Sequence, residues 1–316
     1  MKSLSLLAIL LMSLATTSLA PNARELLASG QAAEAVQILQ QRTAHAPDDA
    51  ESFNLLCRAY FMMDEWDSGI LACERARNLD PQVSLYHLWL GRIYGEKADR
   101  AGFLSAAGLA RKVRSSFERA VELAPKSWEA RTDLAEFYLE APGIVGGGKD
   151  KAIEQAQHLF TLNPAMAHWV LARIAEKQKD AAGAEREYRA EVESSHSGAR
   201  GWLDLAIFFR HANRLDEMET TLRQLESCPI DRRESLMDGA SLLLRTGRDP
   251  ALAIRLLHRY LSDPVEEGPA FKAHNMLGEL LEKQGDRRVA AEQFRAALAL
   301  DPNYSKAQQN LKRLEQ

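Results

Sequence analysis

The sequence predicts an all-α protein, an α-solenoid in which about eight helical hairpins stack into a right-handed superhelix. Two observations predict this fold. A pattern of small and large apolar residues recurs along the chain at a constant phase, and prolines end the copies at spacings close to 34 residues. One such hairpin cannot bury its own apolar face, so the copies are stable only when they stack on one another.

The last copy shows the pattern most clearly. Small residues at Gly278, Ala290 and Ala297 are expected where two helix backbones approach closely, and Leu277 and Phe294 fill the space between them. The glycine and the phenylalanine fall on different helices, so the spacing predicts a pair of antiparallel helices joined by a short turn.

Prolines mark the ends of the second helices, because a proline ring cannot continue the hydrogen-bond ladder of a helix. Pro47 and Pro81 are 34 residues apart. The next two intervals, to Pro125 and Pro164, are 44 and 39 residues, which places extra residues in the third and fourth copies. The 138 residues from Pro164 to Pro302 accommodate about four more copies.

We therefore expect a superhelical domain over residues 21–316. Its predicted hairpins are 21–49, 50–83, 84–127, 128–164, 165–198, 199–232, 233–266 and 267–304, followed by a capping helix at 305–316. The extra residues of the third copy either lengthen its two helices or form a protruding contact surface.

The first twenty residues have the features of a secretory signal peptide. Lys2 is the only charged residue in Met1–Ala20, the run from Leu4 to Leu14 is almost purely apolar, and Ser18 and Ala20 give a small-x-small end. This segment predicts export, to the periplasm or the medium. The alternative is an uncleaved membrane anchor, although the apolar run is shorter than a comfortable bilayer span.

The second copy has its repeat residues at the same phase as the last copy. They are Leu56, Tyr60, Trp66, Ala76 and the final Leu79-Asp80-Pro81. With these residues the chain resembles the tetratricopeptide repeat (TPR) family, over roughly Pro21–Gln316. The segment from Leu90 to Ala152 is similar to a subgroup of exported bacterial TPR proteins of unassigned role. The resemblance implies a concave groove, lined by the first helix of each hairpin, that binds a protein or peptide.

By repeat position, the candidate partner-binding residues of this groove are Asn54, Arg58, Phe61, Leu88, Trp89, Arg92, Trp169 and Arg173. Aromatic rings beside arginine are typical of binding hot spots. The alternative is that adjacent helices bury the rings. Some family members grip a partner's terminal carboxylate with Asn and Lys in the groove. Asp133 and Glu136 place negative charge where that pattern needs none, which disfavours such a clamp here.

Evidence for catalysis is weak. The segment Gly143–Asp150 is one residue away from a phosphate-binding loop, but Asp150 stands where Ser or Thr should hold magnesium, and a helix precedes it instead of a strand. We expect a wide turn here, and a nucleotide-binding enzyme is a remote alternative. No cofactor is indicated, and the net charge of −4 gives no electrostatic reason to expect nucleic-acid binding.

The histidines and cysteines have mainly structural interpretations. His87, His168 and His274 occupy one repeat position in nonadjacent copies, so they cannot share an ion, and no metal site is expected. Cys57 and Cys73 face each other across the second hairpin and form a possible disulfide. The alternative is two small buried thiols.

These observations together predict a non-catalytic, protein- or peptide-binding TPR scaffold of the bacterial cell envelope. An inner-membrane-anchored assembly factor with the same groove is the alternative, and the two differ only in whether the N-terminal segment remains attached.

Overall fold

The structure, a computed structural model, describes residues 22–265 and 268–316. The predicted signal peptide at residues 1–20 lies outside the described residues. Within them there are 17 α-helices and no strands, which confirms the prediction of an all-α helical-repeat solenoid. The helices are α1 (Ala23–Ala28), α2 (Ala32–His45), α3 (Ala50–Met62), α4 (Trp66–Leu79), α5 (Ser84–Asp99), α6 (Phe103–Leu123), α7 (Trp128–Glu140), α8 (Lys149–Leu162), α9 (Pro164–Lys177), α10 (Ala181–Ser194), α11 (Ala199–His211), α12 (Leu215–Leu222), α13 (Glu234–Thr246), α14 (Pro250–Leu261), α15 (Ala270–Lys283), α16 (Arg287–Leu300) and α17 (Ser305–Glu315).

Successive helices pair into eight hairpins, from α1–α2 to α15–α16, and α17 packs against the last of them. Aspartates begin several of the second helices. The carboxylates of Asp180, Asp249 and Asp286 each accept a hydrogen bond from the backbone N–H three residues later. Such caps satisfy an amide that the helix leaves without a partner, and thereby fix where the turn ends.

Close contact between paired helices depends on the small residues of the repeat. A Cβ atom on Gly278 would lie 2.5 Å from the ring of Phe294, and Gly91 faces Phe117 in the same way. Phe294 is fully buried as a result. The small and large positions of the pattern thus meet across the third and the eighth hairpin, as the sequence predicts.

The extra residues of the third hairpin lengthen its helices. Helix α5 has 16 residues and α6 has 21, against 13 or 14 in most of the others. The ten-residue insertion therefore extends the hairpin along its own axis, in agreement with the first of the two interpretations.

The solenoid also closes on itself. The turns of hairpins one and two meet the beginning of hairpin eight: a Cβ atom on Gly30 would lie 2.6 Å from Cβ of Ala270 and 2.9 Å from Cγ2 of Val265. Lys272 Nζ lies 2.7 Å from Asp64 Oδ2, and α2 contacts α16. We call this contact the junction, formed by Gly30 and Asp64 on one side and by Val265, Ala270 and Lys272 on the other. It makes the stack a ring.

None of the helices in the described part of the chain combines the length and the apolar character that a bilayer crossing requires.

Candidate functional site

The first helices of the hairpins lie side by side and form the inner face of the ring. Helix α3 contacts α5, α7 contacts α9, and α11 contacts α13. Ion pairs cross between them: Arg92 Nε lies 2.6 Å from Asp133 Oδ2, and Arg173 Nη2 lies 2.7 Å from Glu140 Oε1. These pairs fix the register of neighbouring hairpins along the face.

Four of the predicted residues lie together on this face. We call Arg58, Phe61, Trp89 and Arg92 the aromatic–arginine patch. The rings of Phe61 and Trp89 meet edge to face with their centroids 5.4 Å apart. The guanidinium carbons of Arg58 and Arg92 lie 5.3 and 5.0 Å from the centroid of the Trp89 ring. Both cations are therefore within the range at which an aromatic ring attracts positive charge.

The environment of Arg58 is concave and cationic. Burial, and after it the positive charges of Arg24 and Arg92, lower the pKa of its guanidinium to about 10. Arg24, Arg58 and Arg92 thus place positive charge together on this face, and an anionic group brought to the patch would be attracted to it.

Glu136 on α7 is exposed to water, yet the pKa of its carboxyl reflects the protein around it. Its side chain remains open to water. Even so, desolvation by the protein around it raises the pKa of its carboxyl, and the charge of Asp133 adds to the rise. Arg173 and Arg200 act in the opposite direction. Glu136 is thus exposed to water while much protein surrounds it, as expected for a residue on a concave face.

Three of the predicted groove residues are not on the surface. Asn54, Leu88 and Trp169 are only 2%, 5% and 6% exposed, so the expectation of an exposed ring at Trp169 is wrong. Trp169 belongs to the continuous apolar core, and the guanidinium groups of Arg173 and Arg200 lie 5.8 and 5.6 Å from its ring centroid. The neighbouring hairpins have closed over the tryptophan, which is the alternative stated for these rings. Arg173 itself stays at the surface and pairs with Glu140.

A buried acidic group lies farther along, where the repeat signal is weak. Glu191 on α10 is fully buried, and its carboxyl has no hydrogen-bond partner among the described residues if it is ionised. Burial raises its pKa well above the usual range, and the neighbouring Asp204 raises it further. Arg200 Nε lies 3.5 Å from Asp204 Oδ2. In the sequence, the buried group of Glu191, Arg200 and Asp204 has a single signal: Arg200 and Asp204 are four residues apart on one helix, the spacing of an ion pair.

The glycine-rich segment Gly143–Asp150 forms a closed turn. The N–H groups of Val145, Gly146, Gly147 and Gly148 all donate to backbone carbonyls, at 2.8–3.2 Å. A phosphate-binding loop needs such amides to point at the ligand. The wide-turn interpretation therefore fits this geometry, and the loop offers no cradle for a nucleotide.

The three histidines are packed in separate places. A ring nitrogen of His87 contacts the carbonyl of Pro81 at 2.9 Å, and burial lowers the pKa of this histidine. His168 Nδ1 lies 2.9 Å from Glu187 Oε2, and His274 Nδ1 lies 2.8 Å from Gln293 Oε1. Within residues 22–265 and 268–316, no group of three or more His, Cys, Asp or Glu side chains is arranged to hold a metal.

Cys57 and Cys73 lie opposite each other in the second hairpin. Their Cα atoms are 5.2 Å apart and their sulfur atoms are at bonding distance. This separation is the one that a disulfide requires. The bridge would join α3, which carries Arg58 and Phe61 of the aromatic–arginine patch, to α4.

These features define a helical-repeat scaffold with a concave inner face. Residues 26–93 and 271–304 match models described as tetratricopeptide repeat. The repeat matches and the fold together place the chain among tetratricopeptide-repeat proteins. A comparison with curated proteins found no match.

Solved structures show the same fold. A TPR protein of Thermus thermophilus has 15% sequence identity and a TM-score of 0.50, over 59% of this chain and 95% of that one. Yeast Tom70 has 15% identity and a TM-score of 0.55, over 90% of this chain. The match spans 58% of the Tom70 chain. At this level of identity the likeness concerns the fold alone.

Proposed function

We propose that this protein is a non-catalytic scaffold of the bacterial cell envelope that binds a protein or peptide on the inner face of its ring. TPR proteins are generally protein-binding adaptors. The observation that carries the proposal is the aromatic–arginine patch. Large rings beside arginine, on a concave surface, have the composition that dominates binding energy at protein interfaces.

The chemistry of the patch indicates what would bind there. Phe61 and Trp89 offer apolar ring surface, and Arg92 has its guanidinium over the Trp89 ring while it pairs with Asp133. A segment with an acidic side chain next to an apolar one would satisfy both features. Its carboxylate would lie among the cations, and its apolar group would cover the rings.

Site-specific photocrosslinking in the cells that make the protein tests this proposal. A photoreactive residue at Phe61 or Glu136 reports on the inner face, and one at Leu71 reports on the outside, because Leu71 is 69% exposed on α4. We expect a discrete adduct from the two inner positions and none from Leu71. Adducts that form equally at all three positions, or at Leu71 alone, would show that the inner face is not the binding site.

A second substitution checks that the patch is responsible. Trp89→Ala in the protein labelled at Glu136 should remove the adduct, while Trp128→Ala should leave it in place. Trp128 is the matched control because it is also a half-buried tryptophan at a first helix, outside the patch. Circular dichroism of both variants confirms that the helices remain.

The envelope location rests on the N-terminal segment. N-terminal sequencing of the mature protein from fractionated cells tests it directly. A new terminus near Pro21 in the periplasmic or secreted fraction supports the exported scaffold, whereas an intact Met1 in the membrane fraction supports the anchored assembly factor. An intact protein in the cytoplasm contradicts both.

A further inference from the structure

We propose that the junction is a gate: hairpins one and two separate from hairpin eight to admit a polypeptide to the inner face, and close again around it. Admission of a polypeptide rests on the binding function proposed above, whereas opening of the ring does not. The junction joins residues 240 positions apart, such as Gly30 and Ala270. All hairpins between them can remain stacked while the junction separates.

Few side chains form the junction. Gly30 lies against Val265 and Ala270, and Lys272 forms a partly exposed ion pair with Asp64. A pocket of about 220 Å³ that opens to solvent lies beside this contact, between the first two hairpins and the turn that follows α16. Its lining is Ala33, Val36, Gln37, Gln40, Tyr60, Met63, Glu65, Pro302 and Asn303. Closure of the ring therefore depends on one close glycine contact and one ion pair that water reaches.

Among the described residues, several acidic groups lie close to Lys272 at the junction. Lys272 pairs with Asp64, and both side chains are partly exposed. Asp301 lies near this pair, and its pKa is raised by burial and then by the charge of Asp64. Burial, followed by the charges of Glu279, Asp64 and Asp301, raises the pKa of Tyr304 to about 12. Lys272 therefore offsets repulsion between carboxylates on the two sides, and its loss should drive them apart.

A closed ring restricts what reaches its inner face. Glu136 is open to water, but protein around it desolvates its carboxyl. According to the gate proposal, small molecules reach the inner face of the closed ring, whereas a folded or bulky chain enters only when the junction opens.

A cysteine placed inside the ring measures this access. The native cysteines are buried, and Cys57 and Cys73 face each other as a pair, so the unsubstituted protein supplies the background rate. Glu136→Cys is treated with a small maleimide or with the same maleimide on a polyethylene glycol chain. We expect the small reagent to react readily and the bulky one to react slowly. Equal rates for both reagents in this protein would mean that the ring is already open, and would overturn the proposal.

Charge reversal at the junction should open the gate. Lys272→Glu should raise the rate of the bulky reagent about fivefold, because an ion pair is lost and like charges are gained. The small reagent should be unaffected, and Asp64→Lys in the same chain should restore the slow rate. Lys283→Glu is the matched control, since Lys283 is exposed on the same helix. If Lys283→Glu accelerates the reaction as much as Lys272→Glu, the junction is not the gate.

A steric substitution provides an independent test. Gly30→Ala would place a methyl group 2.6 Å from Cβ of Ala270, whereas Gly285→Ala would meet nothing within 4 Å. Both glycines have positive φ angles, +76° and +90°, so the backbone strain is similar in the two variants. Gly30→Ala alone should increase the radius of gyration in small-angle X-ray scattering and accelerate the bulky reagent. No difference between the two variants would contradict the proposal.

These outcomes differ from failure of the binding function. If Lys272→Glu accelerates the bulky reagent but no partner crosslinks to the inner face, the gate proposal stands and the binding proposal fails. If a partner crosslinks to the inner face but the bulky reagent reacts as fast as the small one, the binding proposal stands and the gate proposal fails.

Discussion

The hydroxyl of Tyr138 on α7 donates a hydrogen bond to Glu118 Oε1 on α6, at 3.0 Å. The partners are 20 residues apart and belong to successive hairpins. Burial and the charge of Glu118 raise the pKa of this tyrosine, so the hydroxyl keeps its proton. At the same spacing of 20 residues, the hydroxyl of Tyr94 donates to Glu74, and the side-chain amide of Gln40 donates to the hydroxyl of Tyr60.

We expect Tyr138→Phe to lower the free energy of unfolding by about 1 kcal/mol, because it removes one such hydrogen bond between hairpins. Tyr260→Phe is the control. The Tyr260 hydroxyl is buried without a hydrogen-bond partner in the described part of the chain, so its removal should be neutral or stabilising. Urea denaturation of both variants measures the difference. Equal destabilisation would show that the hydrogen bond contributes nothing.

The second prediction concerns Cys57 and Cys73. Intact mass after alkylation, with and without reductant, should show that both thiols are blocked until reductant is added. A bridge across 16 residues should stabilise the fold by about 3 kcal/mol, chiefly by restricting the unfolded chain. Reductant should therefore lower the melting temperature of the native protein and of Cys228→Ser, but not that of Cys57→Ser with Cys73→Ser. Two free thiols in the protein isolated from cells would reject the bridge.

The third prediction is a pH dependence at Glu191. Its pKa in the folded state is raised above the unfolded value, so the carboxyl is neutral in both states below about pH 4 and favours the fold most there. As the pH rises through the folded pKa, this contribution is lost. Glu191→Gln keeps a neutral side chain at every pH. It should therefore melt near the native protein at about pH 4 and well above it at about pH 8.

Glu193→Gln is the control for this experiment. Glu193 lies two residues farther along the same helix and is exposed, so its substitution should leave the melting temperature unchanged at both pH values. If the difference in melting temperature between the native protein and Glu191→Gln is the same at both pH values, the pKa of the Glu191 carboxyl is not changed by folding.

The fourth prediction separates the two inner tryptophans. Trp169 is only 6% exposed within the continuous core, so Trp169→Ala should cost about 3–5 kcal/mol of stability. Trp89 is half-buried, and Trp89→Ala should cost markedly less while it removes the aromatic–arginine patch. Thermal melts of the single variants give the comparison. A larger loss at Trp89 than at Trp169 would reverse our assignment of which ring supports the fold.

Much of the architecture follows from local pattern. The spacing between Gly278 and Phe294 reflects a contact within one hairpin, and the terminating prolines mark where second helices end. Such local features decide where helices begin and end. The fold class was therefore predictable. The curvature was not, because the small rotation between successive hairpins accumulates over the stack, and no single residue encodes the approach of Gly30 to Ala270.

The candidate site was predictable only in part. A repeat position shows that Trp169 and Leu88 lie on first helices, but their exposure depends on how closely the next hairpin approaches, which the position does not reveal. Glu191 was missed for a related reason. A glutamate among alanine and arginine is typical of a solvent-facing helix, and its burial depends on how closely the following hairpin approaches, there with Gly201 beside Val192.

The junction also has a consequence for the order of folding. Hairpins contact their neighbours in the sequence, so they are able to assemble one after another along the chain. Contact between Gly30 and Ala270 must wait until the last hairpin has formed, and it bears the entropy cost of a very long loop. Until that moment the folding protein is an open arc, and a second polypeptide that meets it then would be enclosed without any later opening.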